Sequence, residues 1–146
     1  MAQLFSLGHT TRMELPDTMT RGASLEGSEY GWRVDDFPRV LADAAQRGLA
    51  CVGGQFQFRL PEGATCEMYW LCADASPRRQ DETWSDYVSR CRAEVEQTFR
   101  RLCDETDFRR EAVTGFDFLR AKCDAGFDPL PHLYFVAYFD HEPRVA

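Results

Sequence analysis

The stretch from Cys51 to Cys72, CVGGQFQFRLPEGATCEMYWLC, constrains the fold more than any other part of the chain. Taken as two strands about a turn at residues 61–65, it sorts its residues by parity, because successive strand side chains point to opposite faces of a sheet. With Leu60 opposite Cys66, residues Val52, Gly54, Phe56, Phe58 and Leu60 share one face with Cys66, Met68, Trp70 and Cys72. That face is continuous and apolar, which predicts burial under helices. The other face sets Arg59 opposite Glu67 and Gln57 opposite Tyr69, and cross-strand pairs of opposite charge contribute roughly 0.2–1 kcal/mol. A slip of one residue would place Met68 and Trp70 beside the glutamines, so burial pins the register.

The flanking segments supply the covering helices. Before the hairpin, Phe37, Val40, Leu41, Ala44 and Ala45 recur at helical spacing, with Asp35 or Asp36 to cap the start, Pro38 in the first turn and Gly48 at the end. After it, Thr83 and Asp86 have capping-box spacing ahead of a stripe formed by Trp84, Tyr87, Val88, Cys91, Val95, Thr98, Phe99 and Leu102. That helix is expected to run to about Cys103. Shorter helices are predicted over 108–113 and 116–123, interrupted at Gly115. Two further strands are predicted at 2–7 and at 132–139, the latter, HLYFVAYF, being nearly continuous in apolar residues as a covered or central strand is. The expected fold is therefore α+β and a single domain. It has a mainly antiparallel sheet of about four strands, with two main helices, from Phe37 and from Trp84, on one face.

With 146 residues the chain is the size of one domain. Its formal charge of −7 disfavours nucleic acid, whose phosphates are bound by clustered Lys and Arg, and suits a basic protein partner or plain solubility. No segment approaches the ~20 apolar residues of a membrane span, and MAQLFSLGHTTRM lacks a basic leader and an export-length apolar run, so a cytoplasmic protein is expected. The six cysteines form no CxxC pair and mostly occupy apolar positions, which favours free thiols over disulfides. A zinc site from Cys66, Cys72 and a distant histidine lacks the usual ligand spacing, so neither metal nor cofactor is expected. Catalysis needs a nucleophile, a base within reach and a group to hold developing charge. His9, His132 and His141 stand in no such context, and Gly53-Gly54 lacks the spacing of a phosphate loop. No catalytic residue is assigned.

From Arg12 to Arg33 the sequence shows no period, and connections of that length are functional or disordered. Between Glu14 and Asp36 it carries Glu14, Asp17, Glu26, Glu29, Asp35 and Asp36 against Arg21 and Arg33, more than half of the net charge. Asp17, Glu26, Glu29, Tyr30, Trp32 and Asp35 are the candidate partner-binding residues, although Trp32, ahead of a helix, also fits an inward-packing hydrophobic staple. A secondary candidate is the non-core hairpin face, Gln55, Gln57, Arg59 and Tyr69, which suits hydrogen bonding to a small ligand or plain contact with water.

The run from Tyr30 to Gly63, YGWRVDDFPRVLADAAQRGLACVGGQFQFRLPEG, with CEMYWLCAD at 66–74, resembles bacterial immunity proteins of polymorphic-toxin systems. The resemblance covers less than a third of the chain and transfers no residue role. It implies a cytoplasmic, non-enzymatic α+β domain that binds one cognate toxin domain and blocks its active site or substrate path. An acidic chain would suit a basic cleft there. The alternative is a small-ligand module or an enzyme that uses the polar hairpin face.

Overall fold

Two hairpins that do not pair with each other strand to strand are joined by the last of the described strands. In the computed structural model, which describes residues 14–144, the strands are β1 (Ser24–Glu26), β2 (Glu29–Arg33), β3 (Ala50–Arg59), β4 (Thr65–Asp74) and β5 (Leu133–Asp140). They form one sheet in the order β1-β2-β5-β3-β4, every neighbouring pair antiparallel. The fold is α+β, as expected. The expected strand at 2–7 lies outside the described residues, and β1 and β2 come from the stretch expected to be an irregular loop. A three-residue strand is too short to show a period, and the signal that was present is the two-residue turn Gly27-Ser28. Gly27 has φ +62°, the glycine-first arrangement of a tight hairpin turn.

Helices cover one face. They are α1 (Asp17–Thr20), α2 (Phe37–Gln46), α3 (Trp84–Glu105), α4 (Phe108–Gly115) and α5 (Asp117–Asp124), and a 3₁₀ turn at Leu130–His132 leads into β5. The Thr83 hydroxyl accepts the Asp86 amide at 3.1 Å, which starts α3 where the capping spacing predicts it. Gly48, at φ +73°, ends α2. Beneath the helices Phe37 meets Phe135 at 4.6 Å between centroids, Phe56 stacks on Phe99 at 5.5 Å, and Phe56 lies edge-on to Phe135 at 4.9 Å. Each such ring pair contributes about 0.5–1.5 kcal/mol beyond the area it buries.

The parity of the hairpin holds at its turn end and fails at the other. Cys66 lies opposite Phe58 rather than Leu60, a shift of two residues that keeps every face assignment, so Arg59 pairs with Thr65 and Gln57 with Glu67. Phe56, Phe58, Cys66 and Met68 are in the core, as expected. Between the pairs Phe56–Met68 and Gln55–Cys72, however, β4 has three residues for which β3 has none. From the last residue of that offset onward, Leu71 and Ala73 take the core positions expected for Trp70 and Cys72. The β3 strand has its own irregularity against β5, between Cys51 and Gly53, and so Cys51 turns into the core in place of Val52. Gly54 is required at the β3–β5 crossing, where a Cβ would overlap the Val136 carbonyl oxygen and the Phe135 ring.

Candidate functional site

Opposite the helices, the sheet carries a polar network centred on Arg59. This side chain is 4% exposed and crosses β5 to reach the first hairpin. Its Nε donates to the Gln57 side-chain oxygen, one terminal nitrogen to the Ser24 carbonyl at 2.8 Å and hydroxyl at 3.1 Å, and the other to the Glu29 carbonyl at 3.1 Å. The absence of a side chain at Gly31 makes room, since a Cβ there would come within 3.2 Å of the Arg59 guanidinium carbon. Burial lowers the Arg59 pKa, while the charges of Glu26 and Glu29 act in the opposite sense. Around this centre Tyr138 donates to the Glu29 carboxylate at 2.9 Å. Glu67 accepts from Gln55 at 2.8 Å and from the Tyr69 hydroxyl at 2.9 Å. Burial, then the nearby Glu29, raises the Tyr138 phenol, and the bond to Glu67 raises that of Tyr69.

The secondary candidates therefore do lie together, but Gln55 and Gln57 are buried with Arg59 rather than spread over a wet surface. Among the described residues no buried side-chain nitrogen or oxygen lacks a hydrogen-bond partner. A network satisfied within the chain holds strands in place, and it leaves little donor capacity for a ligand.

The partner-binding candidates are not one patch. Glu26 and Glu29 face each other across the β1–β2 turn, beside Arg59. Asp17 opens α1, which is tied to α2 through Thr18, Asp43 and Arg39, and Asp35 lies past the other end of β2. Trp32 is corrected outright: it is 0% exposed, donates its indole N–H to the Met19 carbonyl at 2.6 Å, and packs on Tyr30, Phe37 and Phe139. On the apolar side of β2, under α1, it has no route to a partner. Tyr30 follows it half-buried against the core.

One secondary candidate, Tyr69, and one residue expected in the core, Trp70, are exposed at the sheet edge. Tyr69 and Trp70, in the three-residue offset of β4, are 62% and 51% exposed. Tyr69 stands on the polar side through its bond to Glu67. Trp70 stands on the helical side, where Gly115 leaves space for its ring, Phe116 lies 5.8 Å away, and Glu111 accepts its indole N–H at 2.6 Å. Phe118 on α5 is also exposed. Parity placed Trp70 in the core because an extra-residue offset leaves no mark in alternation. The usable sign was Tyr69-Trp70-Leu71, three large residues in a row within an otherwise alternating strand.

Elsewhere the reactive groups are quiet. All six cysteines are free, and burial raises their pKa values, Cys103 to about 11, so thiolate is scarce near neutrality. His132 stacks on Phe127 at 5.1 Å. Among the described residues no group of three or more His, Cys, Asp and Glu is placed to hold a metal ion, and no helix is long and apolar enough to cross a membrane. No family model matches the chain, and no curated protein or solved structure matches it either.

Proposed function

We propose that this chain is a non-enzymatic, immunity-type protein of the bacterial cytoplasm that binds and neutralises a cognate toxin domain with a basic active-site cleft. The observation that carries the reading is the exposed pair Tyr69 and Trp70 on the edge strand, each with its polar tip fixed by a carboxylate. Tyrosine and tryptophan are the residue types that dominate protein interfaces, and a held ring loses little rotamer freedom on docking. An interface of roughly 800 Å² per partner needs only a few such anchors. The charge of −7 supports a basic partner by steering its approach.

Glu26 and Asp17, both exposed, belong to the rim of this reading rather than its centre. The ligand-module alternative draws on the same Gln55, Gln57 and Arg59 that bond one another and the first hairpin, and is the weaker for it. Co-expression with the product of the neighbouring open reading frame tests the proposal. A stable complex on size exclusion and loss of the toxin's activity are expected. A neighbouring product that neither binds nor is inhibited overturns it.

A further inference from the structure

We infer that the β4 edge takes an extended, arginine-bearing segment of the partner, with guanidinium groups lying against the two ring–carboxylate pairs Tyr69–Glu67 and Trp70–Glu111. The inference rests on the protein-binding reading above and names the chemistry of what binds.

The two pairs share one design on opposite sides of the same strand. An exposed aromatic face attracts a cation through its quadrupole, and here each ring has a carboxylate fixed at its polar edge, within reach of the same cation. Only one oxygen of Glu111 holds the indole N–H, and its other oxygen takes no hydrogen bond among the described residues. Guanidinium fits this better than ammonium, because it is planar, weakly hydrated and able to stack on a ring while donating in its plane. The strand also dictates the shape of the occupant. Only β3 among the described strands pairs with β4. An extended segment running along the outer edge would send alternate side chains to the two sides on which Tyr69 and Trp70 stand.

The test is calorimetric titration of hexa-arginine and hexa-lysine peptides into the wild type, W70A, Y69A and E111Q, with each variant's Tm measured. W70A and Y69A leave the formal charge unchanged, so general attraction to an acidic chain is common to both and to the wild type. The arginine peptide is expected to bind about tenfold more tightly than the lysine peptide. W70A should weaken it about tenfold and E111Q about threefold. Equal binding of the two peptides, or unchanged binding to both W70A and Y69A, overturns the inference. If W70A does not fold, Y69A and E111Q decide. The neighbouring gene product separates this from the broader reading. A product that binds wild type and W70A equally sinks the inference alone. Peptide discrimination without binding of that product sinks the immunity reading alone.

Discussion

Arg59 does more for this protein than a residue on a solvated sheet face would. Replacing it with Ala leaves the Ser24 and Glu29 carbonyls and the Gln57 side chain without their donor, beside two like charges at Glu26 and Glu29. R59A should lose about 3 kcal/mol of stability in urea unfolding. R59K should recover little of it, since an ammonium group cannot serve three separated acceptors as a fork does. At Trp32 the two demands can be separated. W32F keeps a ring in the core but unpairs the Met19 carbonyl, so a loss of about 2 kcal/mol is expected, with affinity for the proposed partner unchanged. The same network makes Glu29 a poor probe of binding, because its reversal would break the Tyr138 bond and oppose Arg59. Glu26→Arg, on the exposed side of the turn, is the cleaner test of the acidic hairpin.

At the level of the element, hydrophobic period and end signals were reliable where the element is long. Both main helices begin within a residue of the start read from the caps, and β5 is central, as its continuous apolar run implied. Thr83→Ala should cost about 1 kcal/mol, read as a lower urea midpoint with an unchanged slope. Gly54→Ala should be far more damaging, because the overlap is with the Val136 carbonyl and no side-chain rotation relieves it. A loss of more than about 3 kcal/mol, or failure to accumulate as folded protein, is expected. What alternation could not convey was the three-residue offset in β4, since parity assumes one residue for one residue. Trp70 was misplaced for that reason, and the candidate edge site with it. Nor could charge counting distinguish carboxylates already bonded within the fold, such as Glu29, from those facing water.

Across the whole molecule, carboxylates held by hydrogen bonds and by ion pairs with Arg or Lys make acid the condition that loosens it. Arg90 clamps residues 75–82 to α3, bonding Glu82 through two nitrogens at 2.7 and 2.8 Å, Glu94 at 3.2 Å and the Ser76 and Pro77 carbonyls. The Arg90 bonds are the main cause that lowers the Glu82 pKa from 4.5 to about 2, and Asp36, Asp43, Glu62 and Glu94 are lowered too. Groups depressed in the folded state stabilise it above their unfolded pKa, and that contribution disappears as pH falls through the folded value. Stability should therefore decline from about pH 4.5 towards pH 2. Asp74 works the other way, since burial raises its pKa and protonation then favours the fold. The fluorescence of Trp84, which packs under Arg78 and donates to the Gly48 carbonyl, should report the clamp loosening. R90A should flatten that part of the pH profile.

The position of β5 has a consequence for how the protein is made. Among the described strands it alone pairs with both hairpins, with β2 on one side and β3 on the other, yet it is the last of them to be synthesised. Until residues 133–140 leave the ribosome, each nascent hairpin offers an unpaired inner edge to whatever strand is nearest. The sheet then closes through contacts far apart in sequence, which are slow to form. A chain stopped at His132 should be recovered as aggregate or be degraded, whereas one extended past Arg144 should fold. During translation the cell must shelter two open edges from the completion of β4 until β5 emerges.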